Sequence, residues 1–149
     1  MSKIFDVITK NEKETAELGA LLADKITGDA SLPKYVAFSG DLGVGKTVFI
    51  RGFISHLSPD AKISSPTYSI VHEYNSCKPP VYHFDMYRIT DDDDLYSIGY
   101  YEYIEKNAIC LVEWSENIDY ALPDTYIRVT ISKTSLDTPE ERSVTAEII

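Results

Sequence analysis

Residues 40–47 read Gly40-Asp41-Leu42-Gly43-Val44-Gly45-Lys46-Thr47, which matches the pattern G-x-x-x-x-G-K-[ST]. Glycines in such a loop let the backbone come close to an anion, so that successive N–H groups and the positive end of the following helix face its oxygens. In this pattern Lys46 can reach the β- and γ-phosphates of a nucleotide, and the Thr47 hydroxyl can hold Mg²⁺. The predicted nucleotide contacts of the loop are Asp41, Leu42, Gly43, Val44, Gly45, Lys46 and Thr47.

The sequence on either side of the loop supplies the context that this motif needs. The compact apolar run Tyr35–Ser39 is typical of a buried strand. After the loop, apolar residues recur at helical spacing: Val48, Phe49, Ile50, Phe53, Ile54 and Leu57. The alternative is a glycine-rich turn that binds nothing, but a strand before the loop and a helix after it favour a nucleotide-phosphate site.

Composition limits the class of protein. A chain of 149 residues with 44% hydrophobic and 26% charged residues is expected to form one globular domain. The net charge of −10 is the reverse of the basic footprint of nucleic-acid binders, so we do not expect the isolated domain to bind RNA or DNA tightly. Cys77 and Cys110 fit no metal or redox spacing. With no signal pattern and no apolar run of membrane length, the sequence predicts a cytoplasmic protein that does not bind membranes.

Strand-like and helical patterns alternate along the chain. A strand is predicted at Ile4–Ile8, and Thr9-Lys10-Asn11-Glu12 matches a capping box that opens a helix ending near Gly28. The apolar stripe of this helix is predicted to contain Ala16, Leu18, Leu21, Leu22 and Ile26. Two β-like runs, 69–74 and 81–87, flank a turn at 75–80 and predict an antiparallel hairpin.

The second half of the chain continues this alternation. Thr90 is predicted to cap an acidic helix that starts at Asp91 and ends at Gly99; the acidic residues complement the helix dipole, which we favour over a metal site. A short helix at 101–105 and strands at 108–112, 126–131 and 143–149 follow. We therefore predict an α/β fold: a single-domain P-loop NTPase over residues 1–149, with a mostly parallel central sheet flanked by helices and one antiparallel hairpin.

Two carboxylates at predicted strand ends are candidates for the rest of a metal site. Glu113 directly follows the apolar run 108–112, where an ionised side chain needs a partner such as Mg²⁺; the alternative is an exposed strand end. Asp85 follows the apolar run 81–84 and could hold the metal through water or position the attacking water. The alternative for Asp85 is a salt bridge to Arg88.

Three other side chains are candidates to be compared for the same site. Thr67 stands where a loop could sense the γ-phosphate, as switch loops do, although a plain turn residue is the alternative. Trp114, the only tryptophan, either lines the nucleotide pocket beside Glu113 or lies in the core. His83 is interpreted as a packed histidine and is not included in the site.

Several segments outside the loop share their order and spacing with one family. These segments are Arg51-Gly52, Ser65-Pro66-Thr67-Tyr68, His83-Phe84-Asp85-Met86-Tyr87-Arg88, Ile98-Gly99 and Val112-Glu113-Trp114. Together with the phosphate loop they resemble TsaE (YjeE-like), a family of small bacterial ATPases that takes part in threonylcarbamoyladenosine modification of tRNA. The resemblance covers about residues 15–120. Many families share the phosphate loop, whereas its combination with these segments is specific.

This resemblance implies a function and a set of ligands. It implies that the chain binds ATP and Mg²⁺, with Lys46 and Thr47 at the phosphates and metal, and with Asp85 and Glu113 in the Mg²⁺ and hydrolysis site. It also implies that TsaB and TsaD are partners, that the complex transfers a threonylcarbamoyl group to adenosine 37 of tRNA, and that tRNA is reached only through those partners. The chain departs from the family at Val48, where a second threonine is usual, and at Ser115, where proline is common.

The function expected from these observations is Mg²⁺-dependent ATP hydrolysis, with Lys46, Asp85 and Glu113 as the catalytic residues. Adenine is the expected base because the guanine-reading string Asn-Lys-x-Asp is absent. Arg88 is the one cis candidate for an arginine finger, so slow hydrolysis that partners stimulate is expected. A non-catalytic nucleotide-sensing subunit and a small-molecule kinase remain as alternatives. Four scattered arginines are poor material for the lid of a kinase.

Overall fold

A computed structural model describes residues 2–40, 44–63 and 70–149. Its strands are β1 (Ser2–Thr9), β2 (Tyr35–Ser39), β3 (Val71–Tyr74), β4 (Val81–Asp85), β5 (Ile109–Glu113), β6 (Ile127–Lys133) and β7 (Arg142–Ile148). Its helices are α1 (Glu12–Gly28), α2 (Lys46–Leu57), α3 (Asp92–Ile98) and α4 (Tyr100–Glu105), with a 3-10 segment, η1, at Ser115–Ala121. None of the helices in these three ranges is long and apolar enough to cross a membrane.

The seven strands form one mixed sheet in the order β1-β7-β6-β2-β5-β4-β3. The four central strands, β6, β2, β5 and β4, are parallel to one another. The predicted α/β fold is confirmed, and so is the hairpin, because β3 pairs antiparallel with β4. The opposite edge was not foreseen: β7 lies between β6 and β1 and is antiparallel to both.

Each face of the sheet has its own hydrophobic core, because successive side chains of a strand point to opposite faces. Along β2, Val36 and Phe38 pack with the buried residues of α1 and α2. Tyr35 and Ala37 point the other way, into a core that α3, α4 and η1 help to form. The strand that enters the phosphate loop is therefore covered on both faces.

The helix caps differ from the sequence prediction. Asn11, not Thr9, caps α1: its Oδ1 accepts a hydrogen bond from the Glu14 amide at 2.9 Å. Thr9 is instead the last residue of β1, and its buried hydroxyl lies 2.7 Å from that of Thr15. The predicted stripe of α1 was also wrong in one position, since Leu21 is 42% exposed.

The cap of α3 also lies later than predicted, by one residue. The Asp91 carboxylate accepts a hydrogen bond from the Asp94 amide at 3.0 Å. Thr90 instead donates, through its amide and its hydroxyl, to the Asp94 carboxylate. A sequence window of Thr-Asp-Asp-Asp-Asp offers several equivalent caps, and backbone geometry selects among them.

Helices α1 and α2 approach so closely that two glycines are required at their contact. A Cβ at Gly52 would overlap the carbonyl group of Ala16, and one at Gly19 would overlap the carbonyl group of Phe49. Since α2 begins within the phosphate motif, this contact fixes where the N-terminus of α2 lies relative to the sheet.

Gly52→Ala is expected to lower the free energy of unfolding by about 1–3 kcal/mol, because the added methyl group overlaps backbone that cannot move aside. Gly28→Ala is the matched control: nothing lies within 4 Å of its Cβ position, so its stability should be unchanged or should rise by up to about 1 kcal/mol. Urea denaturation of both variants measures the difference. Equal stabilities of the two variants would contradict this account of the helix contact.

Candidate nucleotide site

The candidate site lies where β2 leads into α2, at the C-terminal ends of the parallel strands. This edge is where α/β sheets of this type bind ligands. Gly40 and Gly45 have φ of 136° and 105°, values that favour glycine, and a Cβ at Gly40 would also overlap the Ile131 carbonyl group. Gly45 is the N-cap of α2. Four predicted contacts, Asp41, Leu42, Gly43 and Thr67, lie outside the described residues, so their roles stay predictions.

A cleft of about 300 Å³ opens in front of the N-terminus of α2. Its lining consists of Glu12, Thr15, Gly45, Lys46, Thr47, Val48, Glu113, Glu140 and Arg142. The fold thus brings Glu113 to the same cleft as Lys46 and Thr47, although the glutamate lies far from them in sequence. Val44, predicted to contact the nucleotide, is only 4% exposed, packs in the core and is not among the residues that line the cleft.

The Lys46 ammonium group is held by uncharged groups. Its Nζ donates a hydrogen bond to the Gly40 carbonyl at 2.9 Å and lies 5.5 Å from the centre of the Trp114 ring. Within the described ranges, no carboxylate forms an ion pair with Lys46. Among the described residues, the cation is therefore held at the phosphate loop without an ion pair that a phosphate group would have to displace.

Two carboxylates end neighbouring strands side by side. Asp85 and Glu113 are paired in register at the ends of β4 and β5. An Asp85 oxygen accepts a hydrogen bond from the Tyr87 amide at 3.0 Å, and the Glu113 Oε2 lies 2.7 Å from the His83 Nε2. The alternative salt bridge from Asp85 to Arg88 does not occur in the part of the chain that the structure describes, where Arg88 is exposed.

Burial and mutual repulsion make it unfavourable for Asp85 and Glu113 both to be ionised. Burial raises the pKa of Asp85 above its ordinary value, and the neighbouring Glu113 carboxylate acts in the same direction. The Tyr87 amide hydrogen bond, His83 and Lys46 lower the pKa of Asp85 and so offset part of this effect. A cation between the two carboxylates would relieve their repulsion.

The donor set fits Mg²⁺ delivered with a nucleotide. In the described ranges, no three His, Cys, Asp or Glu residues cluster into a cage for a metal ion. Mg²⁺ rarely uses such cages: it prefers oxygen ligands and is commonly bound by one or two carboxylates together with water and substrate phosphates. The Asp85 and Glu113 carboxylates and the Thr47 hydroxyl supply oxygen atoms of this kind.

Trp114 occupies an unusual backbone conformation at the edge of the site. Its φ is 58° and ψ is 38°, the left-handed region that bulky residues rarely adopt. Its ring packs on Tyr87 with centroids 5.0 Å apart and contacts the buried cluster under α3 and α4. The side chain therefore packs against the core and faces Lys46, but Trp114 does not line the cleft, and its contact with a nucleotide stays a prediction.

Arg142, which sequence reasoning did not assign to the site, lines the cleft. Its Nε donates to the Val44 carbonyl at 2.7 Å, and its Nη1 donates to the carbonyls of Pro139 and Glu141. This guanidinium group ties the start of β7 to the phosphate loop. No local sequence pattern predicts the contact between Arg142 and Val44, because 98 positions separate these two residues.

His83 is the second residue that sequence reasoning left out. It is buried, as predicted for a packed histidine, but it is also bonded to Glu113. One signal was present in the sequence: His83 and Asp85 are two positions apart in a strand, so their side chains share a face of the sheet.

Comparisons with known proteins show which proteins this chain is similar to. The chain matches the family model described as threonylcarbamoyl adenosine biosynthesis protein TsaE over residues 9–144, a range that includes every residue lining the cleft. It is 42% identical over 96 residues to the tRNA threonylcarbamoyladenosine biosynthesis protein TsaE of Haemophilus influenzae; this match spans 64% of the chain and 61%, less than two thirds, of that relative.

Two matches from Bacillus subtilis cover more of the chain. The protein called tRNA threonylcarbamoyladenosine biosynthesis protein TsaE in this organism is 35% identical over 137 residues, which are 92% of this chain and 81% of the relative. A crystal structure of Bacillus subtilis YdiB is similar with a TM-score of 0.70 and 32% sequence identity, and the match covers 98% of this chain and 86% of YdiB.

Asp85→Asn is expected to raise the melting temperature at neutral pH, because burial disfavours the charged form of this carboxyl group. Since its folded pKa lies above the ordinary value of 3.8, ionisation of Asp85 reduces stability as the pH rises through the folded pKa. The gain of the variant should therefore disappear below about pH 4, where the group is protonated in both states.

Melting temperatures measured from neutral pH to below about pH 4 test the prediction. The control is Asp60→Asn, because Asp60 is exposed. A gain for Asp85→Asn that did not change with pH, or an equal gain for the control, would contradict the assigned cause.

Proposed function

The chain belongs to the TsaE family of tRNA threonylcarbamoyladenosine biosynthesis proteins, and we propose that it serves that pathway as a Mg²⁺-dependent ATP hydrolase. The observation that carries this proposal is the cleft that Lys46, Thr47 and Glu113 line together, with Asp85 beside Glu113. These groups are the lysine, hydroxyl and carboxylates that phosphoryl transfer needs.

The phosphates of ATP are proposed to bind over the N-terminus of α2, where backbone N–H groups point at the anion. Lys46 would exchange its hydrogen bond to the Gly40 carbonyl for the β- and γ-phosphates. Thr47 and Glu113 would hold Mg²⁺, which neutralises charge on the phosphate oxygens when it is bound. Asp85 would orient either a water ligand of the metal or the water that attacks the γ-phosphate.

Hydrolysis by the chain alone is proposed to be slow. Arg88, the cis candidate for an arginine finger, is exposed and does not line the cleft. Arg142 does line it, but its guanidinium group is already bonded to three backbone carbonyls. Completion of such sites by a partner can be worth about 10³-fold or more in rate. We therefore propose that a complex of TsaB and TsaD stimulates hydrolysis.

The net charge of this chain indicates which subunits of the proposed complex would bind the tRNA. With a net charge of −10, this chain is unsuited to hold tRNA directly, so the partners would bind the tRNA whose adenosine 37 receives the threonylcarbamoyl group. The chain would supply ATP turnover for that cycle, in the cytoplasm where tRNA is modified.

ATP hydrolysis by the purified chain is expected to be slow and to rise strongly when the TsaB–TsaD complex is added. Phosphate release with and without the complex measures this effect. Tight ATP binding without turnover in either condition would favour a non-catalytic nucleotide sensor. Transfer of the phosphoryl group to a metabolite instead of water would favour a kinase.

Lys46→Ala is expected to lower the stimulated kcat by about 10²–10³-fold, because a positive charge aimed at the developing phosphate charge is lost. The matched control is Lys62→Ala, which removes an exposed lysine outside the cleft and should retain full activity. Steady-state kinetics of both variants in the TsaB–TsaD complex provide the comparison. Near-normal turnover by Lys46→Ala would refute the role assigned to the lysine.

A further inference from the structure

Among the described residues, the His83 side chain makes one polar contact, and that contact is to a residue of the candidate site. It lies on β4 with 4% of its side chain exposed, and its Nε2 lies 2.7 Å from the Oε2 of Glu113, whose side chain is 14% exposed. In the sheet, His83 is opposite Leu111 and Asp85 is opposite Glu113. The histidine therefore lies two residues before the ends of the strands, where the two carboxylates lie. From this position its ring contacts the Glu113 carboxylate.

The other ring nitrogen of His83 shows that packing alone does not explain this residue. Its Nδ1 is buried and has no hydrogen-bond partner among the described residues. Burying a polar atom without a partner costs free energy, so an apolar ring would suit this position better if only packing mattered. What an apolar ring cannot supply is the hydrogen bond to Glu113.

The bond determines how the Glu113 carboxylate is presented. The side chain of a glutamate has three rotatable bonds, so without a fixed partner its carboxylate would adopt several orientations. The contact to His83 holds Oε2 of a glutamate that lines the cleft. The partners of metal-binding carboxylates commonly fix orientation in this way.

We propose that His83 is a positioning residue that orients Glu113 for the Mg²⁺ of a bound nucleotide. The inference rests on the proposed function, because it needs Glu113 to be a metal ligand. His83 itself contacts neither the metal nor the nucleotide in this role. Its action is to reduce the number of orientations of Glu113 and so to strengthen metal binding.

The test compares His83→Phe with His83→Gln. Phenylalanine fills the space of the ring but has no donor, whereas the amide nitrogen of glutamine can take the place of Nε2. A fluorescent ADP analogue reports nucleotide affinity, first with EDTA and then during titration with Mg²⁺. Tyr82→Phe is the control, because Tyr82 is buried on the same strand but points into the opposite core.

His83→Phe is expected to weaken Mg²⁺ binding to the protein–nucleotide complex by about 10–100-fold. Its nucleotide affinity in EDTA should be unchanged. His83→Gln should recover most of the lost Mg²⁺ affinity, and Tyr82→Phe should not alter it. His83→Leu replaces the phenylalanine variant if the latter does not fold.

Two results would overturn the inference. Wild-type Mg²⁺ affinity in His83→Phe would show that the hydrogen bond does not position a metal ligand, and this result would leave the proposed function intact. Equal losses in the glutamine and phenylalanine variants, with lowered melting temperatures, would show a packing role. If nucleotide binding by the unaltered chain did not respond to Mg²⁺, both the inference and the proposed metal site would fail.

Discussion

The contact of α1 with α2 is the constraint on which the candidate site depends. Backbone meets backbone at Gly19 and Gly52, and nothing larger than hydrogen fits at either position. The N-terminus of α2 is thereby held over the ends of the parallel strands, where Glu113 and Asp85 end β5 and β4. A phosphate loop needs this placement, because its helix and the carboxylates proposed to bind the metal come from separate parts of the chain.

Several features around this candidate site are unfavourable for stability. The Asp85 carboxylate is disfavoured by burial and by Glu113, Trp114 adopts a left-handed backbone conformation, and the His83 ring has an unpartnered nitrogen. Stability alone would favour a different residue at each place. Such conflicts between local preference and observed structure concentrate at functional sites, where ligands or partners provide the compensating interactions.

Sequence reasoning found the parts of the site that have local patterns. The phosphate loop with its flanking strand and helix, the hairpin, and Asp85 and Glu113 after apolar runs were all visible, because hydrophobic periodicity and glycine spacing act over short distances. Strand order is not local: nothing in residues 142–148 indicates that they lie between β1 and β6. The contact of Arg142 with Val44 and the bond of His83 to Glu113 depend on that long-range arrangement and were missed.

The position of β7 between β1 and β6 has a consequence for the order in which the chain assembles. A ribosome makes β1 first and β7 last of the seven described strands, and among these strands β1 pairs only with β7, so it has no described sheet partner until β7 has emerged. Arg142 begins β7 and bonds to the phosphate loop through Val44, so the loop also lacks this support until then. The nascent chain therefore acquires its complete nucleotide cleft only at the end of translation of the domain.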